Sequence, residues 1–152
     1  MTEKRYLKEV GLRATKARLT TLKLLYERGR PLSHGEIQEG LGEGLDRVTL
    51  YRTLASLERA GLVHRVQGTD GAWRFCAHRP DQAGCPGNHP HFLCLQCGAM
   101  VCLTGQPLPH VDVPPGCSVS GKQLVVYGLC PSCREREKEG REKARSGLRK
   151  GR

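Results

Sequence analysis

Two Cys-x-x-Cys pairs constrain this chain more than any other feature of its sequence. Cys94 and Cys97 form the first pair, and Cys130 and Cys133 form the second after a long apolar-rich segment. A tight turn lets both thiolates of one pair bind the same ion, and two pairs complete a closed tetrahedral zinc site. Such a site contributes folding free energy to a domain with few large side chains. The sequence therefore predicts a structural zinc ion bound by these four cysteines.

Length and composition favour small units in a reducing compartment. The chain has 152 residues, which suits one domain or two small ones, and only 5% of them are aromatic. No segment approaches the roughly 18 apolar residues of a membrane span, and the charged N-terminus lacks the apolar region of a signal peptide. We therefore expect a cytoplasmic protein with no membrane partner, in which paired cysteines bind metal instead of forming disulfides.

The net charge of +10 favours a polyanionic partner such as nucleic acid over a small organic substrate. Half of this excess lies between residue 134 and the end, where nine basic residues accompany four glutamates. Runs of this kind are most often solvated. We therefore expect residues 135–152 to be a basic, disordered tail, with non-specific phosphate contact as the alternative.

The N-terminal half predicts three helices from periodicity and caps. Apolar residues recur at three- and four-residue steps in each predicted helix. Ser33 and Glu36 form a capping box before the second helix. Asp46 caps the third helix, and Gly61 ends it.

The third helix carries a polar and basic face opposite its apolar stripe. A solvated face usually mixes charges, whereas a helix in the major groove needs donors and positive charge. Residues 62–66 and 73–75 then alternate around a Thr-Asp-Gly turn, which predicts a hairpin. Helices followed by a hairpin within residues 1–80 indicate a winged helix-turn-helix domain for double-stranded DNA. A helical domain that packs on a protein partner is the alternative. The polar face consists of Arg47, Thr49, Arg52, Thr53, Ser56 and Arg59.

Further metal-binding side chains surround the first cysteine pair. If His89-Pro-His91 begins a strand, both imidazoles point to one face, and Cys102 lies farther along the same segment. Cys76 ends the predicted wing strand, so an ion shared by these residues joins the DNA-binding half to the C-terminal half. Ordinary surface histidines and buried thiols are the alternative. The segments "HFLC", "GAMVCL" and "QLVVYGLC" are predicted strands of a small C-terminal sheet.

Five motifs in order resemble the Fur family of bacterial metal-responsive repressors as far as about Glu135. They are "GLRATKARLTTLKLL", "PLSHGEI", "DRVTLYRTLASLERAGLVHRV", "HPHFLCLQCG" and "VVYGLCPSC". The resemblance implies an α+β fold with a winged-helix domain and, over residues 81–134, a small α/β zinc-stapled dimerisation domain. It also implies a homodimer that binds operator DNA without being an enzyme and represses metal-uptake genes when loaded with metal.

The resemblance also assigns roles to individual residues. Tyr51 and Arg52 match the DNA-contacting pair of the family, and Arg13 matches the basic residue of its N-terminal arm. The polar face of the same helix adds Arg47 and Thr49 as expected DNA contacts. The four paired cysteines match the structural zinc ligands of the family.

The identity of the sensed metal depends on the second site. The iron and peroxide branches place a carboxylate in or near the position of Cys76, whereas the zinc uptake regulators place a cysteine there. His64 aligns with a histidine ligand used in some of those regulators, and Cys102 stands where they can place a glutamate. Sulfur makes a site softer, which suits zinc over ferrous iron or manganese. We therefore expect regulatory zinc at His64, Cys76, His89, His91 and Cys102, with iron, manganese or nickel as alternatives.

The sequence departs from the family at a further metal site. Lys122 stands where several relatives have a histidine ligand, and a charged ammonium does not bind metal. We therefore expect no third well-formed site, or a weak one at His110 or Asp112. Cys85 and His78, in the long segment after the wing, are spare candidates.

Two hypotheses of other classes compete with DNA-binding regulation. A zinc hydrolase would use His89, His91 and a cysteine, but no carboxylate lies beside the His-Pro-His to act as the base. A thiol redox switch would use Cys102 or Cys117. An iron- or peroxide-responsive regulator is the alternative within the family.

Overall fold

A computed structural model describes residues 2–77, 79 and 89–149. Two three-stranded sheets organise it, one in each half of the chain. The first has the order β1-β3-β2 with antiparallel pairs, and the second has the order β5-β4-β6, in which β4 is antiparallel to β5 and parallel to β6. The elements are α1 (Thr2–Glu9), α2 (Lys16–Arg28), β1 (Leu32–Ser33), α3 (His34–Leu41), α4 (Arg47–Arg59), β2 (Val63–Gln67), β3 (Trp73–Ala77), β4 (His91–Cys94), β5 (Met100–Cys102), β6 (Val125–Gly128) and α5 (Pro131–Arg149).

The three predicted helices are confirmed, with the predicted caps. The Ser33 hydroxyl accepts a hydrogen bond from the Glu36 amide at 3.2 Å, and the Glu36 carboxylate accepts one from the Ser33 amide at 2.8 Å. The Asp46 carboxylate accepts from the Thr49 amide at 2.9 Å. Because these caps satisfy amides that have no partner within the helix, they fix where α3 and α4 begin.

A first helix, α1, was not predicted. It has only two large apolar residues, Tyr6 and Leu7, and both are buried in the core of the N-terminal half. Two apolar positions are too few to show a helical period. The core that they join is built mainly from leucines of α2 and α4, with Leu32, Ile37 and Phe75.

The predicted hairpin is confirmed as β2 and β3, and β1 adds a third, unpredicted strand beside β3. Gly68 begins the hairpin turn, and its amide donates to the Ala72 carbonyl at 2.9 Å. A Cβ on Gly68 would lie 2.5 Å from both Arg74 Nη1 and Asp70 Oδ1. A side chain at this position would displace the Arg74–Asp70 ion pair, so glycine leaves room for the buried Arg74 guanidinium.

The predicted C-terminal strands are confirmed as β4, β5 and β6, whereas the prediction of a disordered tail is wrong for residues 135–149. These residues continue α5, in which only Cys133 is buried. Glu, Lys and Arg favour helix, and pairs such as Arg141 and Glu137, 2.9 Å apart, stabilise successive turns. Of the helices within the described ranges, none is long and apolar enough to cross a membrane.

Candidate metal centres and nucleic-acid interface

The two cysteine pairs meet at the start of α5, and we call their cluster the knuckle site (Cys94, Cys97, Cys130, Cys133). Their sulfur atoms all lie within 4.8 Å of one another. The Sγ atoms of Cys97 and Cys130 are 3.9 Å apart. Zn–S bonds of about 2.3 Å at tetrahedral angles place two sulfurs about 3.8 Å apart, so this spacing fits a single zinc ion.

Backbone groups and burial act differently on the thiols of the knuckle site. The amides of Cys97 and Cys130 hold the pKa of Cys94 down at about 6. Desolvation raises the pKa of the Cys133 thiol to about 11, against the opposing effect of the Arg136 guanidinium, whose Nη2 donates to Cys133 Sγ at 3.1 Å. A bound dication stabilises the thiolate form of every ligand, so it favours the state that Arg136 and the amides already support.

A second cluster lies where the two sheets face each other, and we call it the junction site (His64, Cys76, His89, His91, Cys102). Two cross-strand pairs build it. His64 lies opposite Cys76 in the β2–β3 ladder, and His91 lies opposite Cys102 in the β4–β5 ladder. Directly opposed residues project from the same face of an antiparallel pair. Each sheet therefore presents one histidine and one cysteine to the junction, and His89 precedes β4.

The structure brings all five predicted regulatory residues together. The ligand atoms of His89, His91 and Cys102 lie within 4.8 Å of one another. Cys76 Sγ is 3.9 Å from Cys102 Sγ, again close to the sulfur spacing of a tetrahedral zinc site. The ring of His64 lies farther out, with its centroid 6.3 Å from those of His89 and His91.

His91 shows that the junction site fits a metal ion. The residue is 1% exposed, and neither ring nitrogen has a hydrogen-bond partner within the described part of the chain. Leaving buried polar atoms unpaired costs free energy, so native proteins rarely do it. A metal ion at the junction would accept one of these nitrogens as a ligand, and the neighbouring sulfur and imidazole atoms would complete its coordination.

Among the described residues, few other contacts connect the two halves around the junction site. Val66 of β2 packs with Leu93 and Met100 of the second sheet. The Gln123 side chain both accepts from the Gln67 amide at 3.3 Å and donates to the Gln67 carbonyl at 3.0 Å. The described apolar contact between the halves is therefore small. An ion bound by both halves would strengthen their association.

Arg74 makes a second polar connection across the junction. It is 3% exposed, and its guanidinium donates to both Asp70 oxygens at 2.7 and 3.0 Å and to the Gly98 carbonyl at 3.1 Å. It thereby joins the wing to the turn of the first cysteine pair. Sequence reasoning missed this residue because one arginine in a strand of a basic chain carries no distinguishing signal.

The exposed face of α4 carries the predicted DNA-contacting residues. Arg47 and Arg52 are exposed, Tyr51 is half-exposed, and Thr49 is partly buried beside its cap Asp46. The imidazole of His34 stacks on Tyr51 with 4.0 Å between ring centroids, so α3 supports the aromatic side chain.

Two residues of the predicted polar face do not point to solvent as expected. Thr53 is 6% exposed and belongs to the buried side of α4. The Ser56 hydroxyl accepts from Arg18 Nε at 3.2 Å, which connects α4 to α2. Arg13, the predicted arm residue, is exposed between α1 and α2, and its carbonyl accepts from Arg18 at 2.8 Å.

The wing adds an aromatic and basic surface next to α4. The Arg65 guanidinium lies 4.3 Å from the centre of the Trp73 ring, and the same arginine pairs with Glu58 of α4 at 2.9 Å. These residues line a cleft of about 430 Å³ together with Tyr51 and His34. The hairpin turn and the polar helix face are therefore parts of one continuous surface.

The remaining candidates among the described residues lie apart from both metal clusters. His110 and Asp112 pair with each other at 2.9 Å in an exposed coil, and Lys122 donates to the Pro109 carbonyl. Cys117 is exposed. The spare candidates Cys85 and His78 lie outside the described residues. Within the described ranges, potential ligands meet in groups of three or more only at the knuckle and junction sites.

Comparisons with known proteins give a consistent result. A model of the "Ferric uptake regulator family" matches residues 9–110. The ferric uptake regulation protein of Legionella pneumophila is 28% identical over 141 residues, which cover 88% of this chain and 99% of the relative. A structure of the ferric uptake regulator from Pseudomonas aeruginosa with manganese aligns with a TM-score of 0.56 and 25% identity over 86% of this chain and 99% of that one. A zinc-bound manganese uptake regulator shares the fold, with a TM-score of 0.61 and 20% identity over 86% of this chain and 99% of that one.

Proposed function

Because the chain belongs to the ferric uptake regulator family, we propose that it is a zinc-sensing repressor that binds operator DNA as a homodimer. Proteins of this family are metal-responsive transcriptional regulators and not enzymes, which removes the hydrolase hypothesis. The proposed targets of repression are metal-uptake genes. The zinc assignment goes beyond the relatives described above, which are named as regulators of ferric or manganese uptake, although one of them is named as zinc-bound.

The donor set of the junction site carries the zinc proposal. The described residues of this site offer two thiols and three imidazoles and no carboxylate. Thiolate and imidazole ligands suit zinc, whereas ferrous iron and manganese prefer sites with oxygen ligands. We assign Cys76, His89, His91 and Cys102 as the four ligands, because the ligand atoms of the last three lie within 4.8 Å of one another and Cys76 Sγ is 3.9 Å from Cys102 Sγ, with His64 beside them.

The position of the junction site couples zinc to DNA binding. Cys76 belongs to the wing strand β3, and the other three proposed ligands belong to β4, β5 or the residues just before β4. Zinc favours the arrangement in which the two sheets are held together, because only this arrangement brings all four ligands to the ion. The size of the shift equals the difference between the affinities of the two arrangements for zinc. In the proposed dimer this arrangement sets the two α4 helices at the spacing of successive major grooves.

The first experiment counts metals and compares them as corepressors. We expect two zinc ions per chain by native mass spectrometry, one of which a mild chelator removes. Operator binding should then return with zinc at lower concentration than with ferrous iron, manganese or nickel. Restoration by iron or manganese but not by zinc would exclude zinc sensing and favour the alternatives in the family.

The second experiment tests the junction site by substitution. Cys76→Ser should abolish zinc-dependent operator binding and keep the zinc ion of the knuckle site. Cys117→Ser is the matched control, because Cys117 is exposed and belongs to neither cluster. A full zinc response in Cys76→Ser would contradict the ligand assignment.

The third experiment tests the DNA surface. If Arg52 contacts a base edge, Arg52→Ala should weaken operator binding by about 1 to 3 kcal/mol and reduce discrimination at one base position. Arg28→Ala, an exposed arginine at the end of α2 and outside the polar face of α4, is the control. Equal weakening on operator and random DNA would show that Arg52 contacts only phosphate.

A further inference from the structure

Two cysteines of the junction site approach each other from different sheets. Cys76 Sγ on β3 and Cys102 Sγ on β5 are 3.9 Å apart, and both residues are reduced. The pair exists because residues 76 and 102 are both cysteines. A carboxylate at residue 102 would supply a metal ligand, but it would have no redox partner in Cys76.

The surroundings of the two thiols are unequal. Cys76 is 2% exposed and lies in the central strand of its sheet. Cys102 is partly exposed and ends a three-residue strand at the edge of the second sheet. A disulfide requires an S–S distance of about 2.0 Å, so the sulfurs must approach by roughly 2 Å. A short edge strand is the part of this site that is most easily displaced, and it also carries the more accessible sulfur.

We infer that Cys76 and Cys102 are a redox-active pair, which a hydroperoxide converts to a disulfide when the junction site holds no metal. The Cys102 thiolate attacks one peroxide oxygen, so an S–O bond forms as the O–O bond breaks. The departing oxygen takes a proton and leaves as water or an alcohol. The Cys76 thiolate then attacks the Cys102 sulfur, the S–S bond forms, and the S–O bond breaks to release water. Two thiols are oxidised, and one peroxide is reduced.

The disulfide removes both sulfur ligands from the junction site and cross-links the wing strand to the C-terminal sheet. Of the four proposed ligands only His89 and His91 remain, with His64 beside them, so zinc binding weakens. The regulatory consequence rests on the proposed zinc sensing: peroxide uncouples the regulator from zinc until a thiol reductant restores it. The disulfide itself requires only the contact between the two sulfurs.

The knuckle site offers a competing reaction, because Cys97 Sγ and Cys130 Sγ are also 3.9 Å apart. These two sulfurs, however, belong to a four-sulfur cluster whose zinc ion is proposed to stay bound in both states of the regulator. Thiolates engaged by a closed zinc site are poor nucleophiles toward peroxide. Selective oxidation at the junction is therefore expected when only the knuckle site is loaded.

The test uses the full chain in two forms, loaded with one or with two zinc ions. Each form is treated with hydrogen peroxide, its remaining thiols are alkylated, and its peptides are mapped by mass spectrometry. In the one-zinc form we expect a Cys76–Cys102 disulfide that dithiothreitol reverses. In the two-zinc form its formation should slow by about tenfold or more, because bound thiolates react poorly.

Substitutions define the order of attack. In Cys76→Ser, a sulfenic-acid trap such as dimedone should label Cys102, and no disulfide should form there. Cys102→Ser should give neither label nor disulfide at the junction, whereas Cys117→Ser should react like the natural sequence. A cross-link confined to the knuckle cysteines, or Cys102 oxidised directly to sulfinic acid in the natural sequence, would overturn the inference.

The result separates this inference from the proposed function. If zinc restores operator binding but no Cys76–Cys102 disulfide forms, the redox pair is rejected and zinc sensing stands. If the disulfide forms but zinc has no effect on operator binding, the redox pair stands and the zinc proposal falls.

Discussion

The two residues of the salt bridge between Arg74 and Asp70 differ in their exposure to solvent. The Arg74 side chain is 4% exposed, whereas that of Asp70 is 42% exposed. Removing the aspartate leaves a buried cation, while removing the arginine leaves a carboxylate that water can reach. The free-energy costs of the two changes should therefore differ, although they break the same bond.

We expect Asp70→Ala to lower the free energy of unfolding by about 3 kcal/mol, because uncompensated buried charge is costly. Arg74→Met should cost clearly less, since it keeps an unbranched apolar chain in the buried site. Denaturant unfolding of both zinc-loaded variants measures the difference. An equal or larger cost for Arg74→Met would show that packing of the arginine, and not its charge, determines the stability of this contact.

The same pair predicts a pH dependence. The hydrogen bonds from Arg74 hold the pKa of Asp70 down at about 2, below its ordinary 3.8. A lowered folded-state pKa means that the carboxylate stabilises the fold above the ordinary value, and that this contribution is lost as the pH falls through about 2. The difference in stability between the natural sequence and Asp70→Ala should therefore be constant from pH 7 to about 5 and shrink between about 4 and 2. Acid release of zinc affects both proteins, so it does not change the sign of the difference.

At the level of elements, the sequence predicted what local chemistry determines. The caps at Ser33 and Asp46 identify α3 and α4 because a side chain and an amide a few residues away suffice to form them. The helix α1 and the strand β1 escaped prediction because burial of a few residues against distant elements creates them. For α5, composition suggested disorder, but the alternation of Arg and Glu that keeps the segment soluble also stabilises a helix.

Helix α5 should contribute charge to the protein but little stability. Beyond Cys133 no described residue of this helix is buried, and its ion pairs are exposed. Deleting residues 139–152 should therefore leave the thermal midpoint and the knuckle zinc unchanged while reducing helical circular dichroism. If residues 139–152 contact DNA phosphates, operator binding by the truncated protein should depend less steeply on salt concentration than binding by the full chain. A large drop in the thermal midpoint would show that α5 packs against a second copy of the chain.

For the whole molecule, the sequence predicted the two metal clusters better than the contacts around them. Cysteine spacing is local, and the alternation of side chains along a strand is enough to place His89 and His91 on one side. The convergence of Cys76 and Cys102 across two sheets depends on how the halves pack. Arg74 and Gln123, which stabilise that packing, have no sequence pattern that marks them.

The two halves should respond differently to removal of the junction metal. The N-terminal half has an extensive apolar core, whereas the described core between the sheets consists of Val66, Leu93 and Met100 with Val125 beside them. Burial of so few side chains provides little free energy to hold the sheets together without an ion. A chelator that removes only the junction metal should therefore speed amide hydrogen exchange in β4, β5 and the end of β3 and leave α2 and α4 protected. Uniform loss of protection in both halves would show instead that the ion stabilises the whole fold, and zinc would then be a folding cofactor at both sites and not a signal at one.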